Sequence, residues 1–78
     1  MDIRRRVGRN VRRLRKERGL SQEELGFEAE LHRTYISGVE RGIRNPTVLV
    51  LEQIAIALST PVHTLLEPIK RKTIKARI

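Results

Sequence analysis

The sequence predicts an all-α domain built from five short helices, and three observations support this fold class. Apolar residues recur at helical spacing in several separate segments. Most of these segments begin after a capping residue and end at a glycine or a proline. No segment shows the alternation of apolar and polar residues that is typical of a half-buried strand. With 78 residues in the chain, we expect one domain over residues 1–67 and a basic C-terminal tail over residues 68–78.

The first helix is predicted by a single apolar stripe. Its members are separated by four, four and three residues: Ile3, Val7, Val11 and Leu14. This spacing places them on one side of a helix. Gly19 is a natural stop after such a helix. We therefore expect the first helix over about residues 2–18.

The second and third helices follow directly. Ser21 and Glu24 have the spacing of a capping box, in which each side chain accepts a hydrogen bond from the other residue's amide. The second helix then runs to about residue 28 or 29. His32 or its neighbour begins the third helix, which runs to about residue 41 and is stopped by Gly42. The residues expected on the buried sides of these two helices are Leu25, Ala29, Ile36 and Val39.

Two further helices complete the predicted domain. Thr47 follows a break and is a typical N-cap, so we expect a fourth helix over about residues 48–58. It is the most apolar helix and is predicted to be the central core element, through Val48, Leu49, Leu51, Ile54, Ala55 and Leu58. Pro61 opens a short fifth helix, and Pro68 ends it. The apolar residues of that helix are Val62, Leu65 and Leu66.

Composition excludes several classes of function. The chain has no cysteine, and its two histidines, His32 and His63, are too few for a structural zinc site, so no metal or other cofactor is expected. No apolar run approaches the roughly 20 residues of a membrane span, so we expect a cytoplasmic protein without membrane contact. Phe27 and Tyr35 are too few for single-strand binding by base stacking. No catalytic triad or phosphate-binding loop is present, so no enzymatic activity is expected, and no small-molecule ligand is evident.

The charge distribution favours a polyanionic partner. The net charge is +8 and the isoelectric point is about 11.3. Residues 1–18 hold nine basic and two acidic residues, residues 19–31 hold four glutamates and no base, and the tail holds five bases. Basic ends around a mixed middle suit a polyanion that is contacted at several places.

Residues 20–46 carry the most informative pattern. They contain two short helical segments, each with its own start signal, separated by about four residues. This is the layout of a helix-turn-helix, in which the first helix holds the second away from the body of the domain. A small basic domain with this layout is typical of proteins that bind duplex DNA.

Four segments resemble the helix-turn-helix domains of phage repressors and Cro, the XRE-type regulators. They are RRLRKERG at residues 12–19, LSQEEL at 20–25, YISGVERG at 35–42 and RNPT at 44–47. The resemblance covers about residues 7–67 and implies a five-helix, lambda-repressor-like DNA-binding domain. Within this family, residues 31–42 most resemble the controller proteins of restriction–modification systems. The resemblance therefore implies a transcriptional regulator that binds a pseudo-palindromic operator as a homodimer and controls its own promoter.

Two residues depart from the family pattern. The family favours alanine early in the second helix and glycine in the turn, whereas this chain has Gly26 and Glu30 there. Gly26 gives up roughly 1 kcal/mol of helix propensity relative to alanine. Glu30 requires a strained backbone if that turn residue is left-handed. A local change in the turn would shift the third helix.

The resemblance places base-reading residues at the start of the third helix. Arg33 can bond a guanine through O6 and N7, and Thr34 can contact a thymine methyl group or an acceptor. Ser37 lies one turn further along the same face and is suited to a base or a phosphate. The alternative for each of these side chains is a solvated surface position without a contact to DNA. Gly38 stands where relatives carry a reading side chain, and its bare Cα would allow the helix to approach DNA closely.

The resemblance also implies that a second group of residues binds the DNA phosphates and that one ion pair stabilises the fold. The phosphate-binding set comprises Gln22, Tyr35, Arg41, Arg44 and Asn45. For Tyr35, packing against the second helix is an equal alternative to a phosphate contact. Arg15 and Glu40 are implied to form a partly buried ion pair between the first and third helices. The arginines of the first helix either attract DNA or form a solvated face.

The resemblance also implies a dimer surface on the last helices, with Leu58, Val62, Leu65 and Leu66 as its candidates. Two alternatives to a dimeric regulator remain open. One is a protein-interaction module of the antitoxin type, which also binds its own promoter. The other is a basic amphipathic first helix that lies on a membrane surface, although it lacks aromatic anchors and leaves the other four helices unexplained.

Overall fold

A computed structural model describes residues 2–69, and five α-helices follow one another within that range without any strand. The helices are α1 (Ile3–Glu17), α2 (Gln22–Ala29), α3 (Arg33–Glu40), α4 (Val48–Ala57) and α5 (Val62–Leu66). The predicted all-α fold class is confirmed, and each predicted helix is present at its expected place. Nearly all of the predicted basic tail lies outside the described residues.

Polar side chains cap four of the helices at their N-termini: Asp2, Ser21, His32 and Thr47. The predicted capping box of α2 is present, with the Glu24 amide donating to Ser21 Oγ at 2.9 Å and the Ser21 amide donating to the Glu24 carboxylate at 2.8 Å. Arg4 donates its side chain and its amide to Asp2, which lowers the pKa of that carboxyl to about 2. Each cap satisfies an amide that the first helical turn leaves without a partner.

Four helices end in the same way, with a left-handed residue followed by a hydrogen bond across the last turn. The left-handed residues are Gly19 (φ 70°), Glu30 (φ 61°), Gly42 (φ 78°) and Ser59 (φ 56°). In each case the following amide donates to the carbonyl five residues earlier, at 3.1, 2.8, 3.0 and 3.0 Å respectively. This Schellman arrangement stops each helix at a defined residue and thereby fixes where the next connection begins.

The core is formed by one side of every helix. Its most enclosed residues are Val11, Leu25, Ile36, Val39, Ile54 and Leu65. Helix α4 contributes through one side only, because Val48 and Leu49 are 77% and 68% exposed. Their predicted place in the core is therefore wrong. The apolar content of a helix does not state which side faces inward, and α4 carries apolar residues on both.

Close contacts hold α1 against α3 and α5. A Cβ atom at Gly8 would overlap the carbonyl oxygens of Val39 and Glu40, so this glycine lets α1 cross the C-terminal half of α3 at short range. At the other side, Asn10 is buried, and its Nδ2 donates to the carbonyls of Leu65 and Glu67, both at 2.9 Å. These bonds satisfy carbonyl groups at the end of α5, where the helix itself cannot.

Both departures from the family pattern lie at the turn between α2 and α3, Glu30 within the turn and Gly26 in the part of α2 that packs against it. Glu30 adopts the left-handed conformation, with φ 61° and ψ 41°, so the turn keeps its usual form at the cost of strain in a residue that has a Cβ. Gly26 lies directly beneath the turn. A Cβ atom there would lie 2.5 Å from the Leu31 carbonyl oxygen. The bare Cα of Gly26 therefore allows the turn to fold tightly against α2.

We expect Glu30→Gly to stabilise the fold by about 0.5–1 kcal/mol, because glycine adopts a positive φ without the cost that a Cβ imposes. Glu28→Gly is the matched control, since it makes the same change at an exposed position inside α2. It should destabilise the fold by about 1 kcal/mol. Urea denaturation of the three proteins measures both changes. If both variants were destabilised equally, Glu30 would not be strained.

Candidate nucleic-acid interface

Helix α3 turns one side towards the core and the other side outwards. Ile36 and Val39 are buried, Arg33 and Thr34 are exposed, and Ser37 is half-buried. Because an α-helix has 3.6 residues per turn, Ser37 lies about one turn beyond both Arg33 and Thr34. The structure therefore places the three residues predicted to read bases together on one accessible face, at the start of the helix.

The N-cap of α3 also positions Thr34. His32 Nδ1 accepts a hydrogen bond from the Thr34 amide at 3.1 Å and lies 2.8 Å from Thr34 Oγ1. Thr34 Oγ1 is therefore held beside the side chain that caps the helix. His32, which sequence analysis placed only at the start of the helix, thus orients a residue of the outward face.

A buried network joins the three N-terminal helices behind this face. Arg15 Nε and a terminal nitrogen donate to the two carboxylate oxygens of Glu40, at 2.6 and 3.0 Å, and both residues are 8% exposed. The remaining terminal nitrogen of Arg15 donates to the Leu20 carbonyl at 2.9 Å. The hydrogen bond to Glu40 raises the pKa of Arg15. The structure thus contains the ion pair that the resemblance implied, in a bidentate geometry.

Gln22 extends this network to the N-terminus of α2. Its Nε2 donates to Glu40 at 3.0 Å, and the side chain is half-buried. The predicted phosphate ligand is therefore attached to the buried ion pair instead of extending freely into solvent. One amide proton of Gln22 remains for an external acceptor. The free amides of the first turn of α2 lie beside it.

Tyr35, Gly38 and Arg44 form a cluster on the same side of the domain. The Tyr35 ring is half-buried and packs against the core, and the Arg44 guanidinium carbon lies 5.3 Å from its centroid. A Cβ atom at Gly38 would lie 2.7 Å from Arg44 Cγ. Gly38 is therefore covered by Arg44, and the open surface expected at this glycine is absent. In the sequence, this contact corresponds to a glycine in the middle of a helix followed six residues later by an arginine. That pattern did not enter the prediction of the site.

The segment after α3 carries the remaining predicted phosphate ligands. Arg41 and Asn45 are exposed, and Arg41 Nε lies 3.4 Å from the Ser37 carbonyl oxygen. Arg5 of α1 packs against the end of this helix, since a Cβ at Gly42 would lie 2.7 Å from Arg5 Cγ. The first turn of α1 thus adds a basic side chain beside the loop that follows α3.

The predicted dimer surface requires a correction. Leu58 and Leu65 are 3% and 0% exposed, so both belong to the core of the single chain and are not available to a partner. The helical spacing of α5 directs Leu65 inwards and leaves Leu66, at 38% exposure, beside the small apolar cavity that Ile3 also lines. Val62 is half-buried. Of the four candidates, Val62 and Leu66 remain accessible.

Residues 2–69 contain neither a candidate metal site nor a candidate membrane-spanning helix. No group of three or more His, Asp or Glu side chains in that range is arranged to hold a metal ion. Among the described helices, none is both long and apolar enough to cross a bilayer.

Comparison with known proteins gives consistent matches. The helix-turn-helix family model matches residues 11–65. The control protein C.BamHI of Bacillus amyloliquefaciens is 45% identical over 67 residues, which is 85% of this chain and 83% of that protein. The crystal structure of the restriction–modification controller protein C.AhdI from Aeromonas hydrophila is 40% identical, with a TM-score of 0.78 over 80% of this chain and 94% of that one. The biofilm regulator SinR in complex with DNA is 37% identical, with a TM-score of 0.75 over 78% and 98% of the two chains.

We expect Glu40→Ala to destabilise the fold by about 3–5 kcal/mol, because Arg15 would be left buried without its partner. Glu17→Ala is the control, since it breaks the exposed Arg13–Glu17 pair and should cost less than about 0.5 kcal/mol. Thermal or urea unfolding measures both. If the two variants lost equal stability, the buried network would not hold the helices together.

Proposed function

The chain belongs to the helix-turn-helix family, and on that premise we propose that it is a transcriptional regulator that binds a specific duplex DNA sequence as a homodimer. The observation that carries this proposal is the outward face of α3. Arg33 and Thr34 project from its capped N-terminal turn, and the Arg15–Glu40 network fixes the helix from behind. A net charge of +8 supplies the general attraction to DNA.

In this proposal α3 enters the major groove with its N-terminal turn against the base edges. Arg33 spans O6 and N7 of a guanine, which gives about 1–3 kcal/mol of discrimination against other bases. Thr34 contacts a thymine methyl group or a hydrogen-bond acceptor of a base. Ser37 contacts the next base or phosphate along the same face.

Phosphate contacts set the register of α3 in the groove. We assign them to Gln22 at the N-terminus of α2 and to Arg41 and Asn45 at the end of α3. Gln22 lies at a helix terminus, where free amides and the helix dipole favour an anion. Arg41 and Asn45 are exposed beyond the reading face. Such contacts position the protein without selecting a sequence.

A dimer is needed because one recognition helix reads too few base pairs to select a site within a genome. Two copies place two such helices about 34 Å apart on successive turns of DNA. We propose that Val62 and Leu66 of α5 form the contact between the copies. Both are accessible, and they flank the enclosed Leu65.

The similarity to control proteins supports regulation of the chain's own promoter in a restriction–modification context. We place this action in the cytoplasm, with DNA and a second copy of the chain as partners. The protein acts by binding alone, without a catalytic step. No contact within the described residues favours the antitoxin alternative.

Arg33→Ala should weaken binding to the selected operator by about 1–3 kcal/mol and relax the preference at one base pair in each half-site. Arg41→Ala is the matched arginine control. It should weaken binding to operator and random duplex alike and reduce the salt slope by about one charge. Fluorescence anisotropy at several salt concentrations measures both quantities. If both variants lost affinity equally on operator and random DNA, the proposed division between reading and phosphate binding would be incorrect.

Leu66→Glu should weaken the dimer by about 2 kcal/mol or more, because it buries a carboxylate in an apolar contact. Ile56→Glu is the control, since Ile56 is 70% exposed on α4. Sedimentation velocity measures the dimer, and urea unfolding verifies the fold of each variant. If Ile56→Glu dissociated the dimer and Leu66→Glu did not, the interface would lie on α4.

A further inference from the structure

We infer that one side of α1 binds DNA phosphates and forms a third contact of each protomer with the DNA backbone. Four residues make up this surface, which we call the α1 basic stripe: Arg5, Arg9, Arg12 and Lys16. The inference rests on the proposed function. It chooses between the two alternatives that the sequence left open for the arginines of the first helix, attraction to DNA and a solvated face.

The spacing of these residues places them on one side of the helix. They are separated by four, three and four residues, so their directions fall within about 60° of one another around a helix with about 100° per residue. The stripe is about 16 Å long, because each residue adds about 1.5 Å. All four side chains are exposed. Buried Val7 and Val11 lie on the opposite side of α1.

The other four basic residues of α1 differ, because each of them has a partner. These contacts are Arg4 with Asp2, Arg6 with the Leu66 carbonyl, Arg13 with Glu17 and Arg15 with Glu40. Within residues 2–69, no side chain of the stripe forms a hydrogen bond or an ion pair. Like charges one helical turn apart destabilise a helix. A polyanion beside the stripe would therefore relieve a repulsion that the free protein retains.

The N-terminal end of the stripe lies beside one of the proposed phosphate-binding segments. A Cβ atom at Gly42 would lie 2.7 Å from Arg5 Cγ and 3.1 Å from Arg5 Cα. Gly42 belongs to the segment from Arg41 to Asn45, which we assign to the DNA backbone. Arg5 is therefore positioned to bind a phosphate next to those that this segment contacts.

The C-terminal end of the stripe lies close to the other proposed phosphate-binding residue. Lys16 follows Arg15, whose side chain donates to Glu40 and to the Leu20 carbonyl. Gln22 donates to the same Glu40 carboxylate at 3.0 Å. The stripe therefore extends from the loop after α3 towards the N-terminus of α2, between the two sets of assigned phosphate contacts.

The chemistry of the stripe favours the DNA backbone over a protein partner. The centre of a protein–protein interface is apolar and depleted of charge, whereas the stripe consists of four exposed cations. A duplex carries one phosphate charge for about every 1.7 Å of its axis, so several phosphates lie within the length of the stripe. Arginine and lysine are the side chains that bind phosphate most often in such contacts.

The test compares the wild type with two triple variants that lose the same charge from the N-terminal region. The stripe variant is Arg5→Gln/Arg9→Gln/Arg12→Gln, and the matched control is Arg4→Gln/Arg13→Gln/Arg18→Gln, at three exposed arginines outside the stripe. Glutamine keeps a helix propensity close to that of arginine, and thermal unfolding verifies that both variants fold. Fluorescence anisotropy at several salt concentrations gives the slope of log K against log salt, on random duplex and on a duplex that the wild type selects from a randomised library.

The stripe variant should have a salt slope shallower by about 2–3 for each bound protomer, since each lost phosphate contact changes the slope by about 0.9. The control should change the slope by less than about 1. The stripe variant should also keep the wild-type ratio of affinities for selected and random duplex, because phosphate contacts do not select a sequence.

Three results would overturn the inference. If both variants lost the same slope, net charge and not the stripe would account for the attraction. If the stripe variant kept the wild-type slope and lost binding to vesicles that contain anionic phospholipid, the stripe would belong to a membrane surface. If its ratio of affinities fell, the stripe would read bases. A wild type that selects no sequence would contradict the proposed function, while the slopes on random duplex would still decide the role of the stripe.

Discussion

The buried contact between Arg15 and Glu40 is the interaction on which the reading surface depends. It links α1 to the last residue of α3, and the bond from Gln22 to the same carboxylate adds the first residue of α2. One carboxylate of α3 therefore bonds side chains of both α1 and α2. These bonds restrict how the three helices can pack together. A buried charge without its partner is strongly destabilising. Arrangements of α1, α2 and α3 that separate Arg15 from Glu40 are therefore disfavoured.

The outward face of α3 gains its definition from this support and from local bonds. His32 caps the helix and lies within hydrogen-bond distance of the Thr34 hydroxyl, while Arg44 contacts Gly38 and the Tyr35 ring. Of the polar residues that we assign to DNA recognition, Thr34 and Gln22 thus have defined side-chain contacts in the free protein. A restricted side chain loses less entropy on binding, so more of each hydrogen bond contributes to selecting the correct sequence.

The helices were predictable from the sequence because their signals are local. The Ser21–Glu24 capping box and the stops at Gly19 and Gly42 act over a few residues, and all were found as expected. Which apolar residues are enclosed depends on packing between distant segments. Leu49 is therefore exposed despite its place in the most apolar helix, and Leu65 is enclosed although it was assigned to a dimer surface.

The candidate site was also predictable only in part. The family pattern placed Arg33 and Thr34 on one accessible face, and the structure has them there. The seating of Arg44 was not predictable, since it requires the loop after α3 to fold back across Gly38 and reach Tyr35. Likewise, the bond between Gln22 and Glu40 joins residues eighteen positions apart. No local sequence signal reports such contacts.

The most direct test of sequence-specific binding is fluorescence anisotropy with the DNA upstream of the protein's own gene, compared with random duplex, at two salt concentrations. The account predicts tight binding to the upstream DNA that persists at the higher salt, with two protomers on each site, because base contacts depend less on salt than phosphate contacts do. Equal and salt-sensitive binding to both duplexes would contradict it.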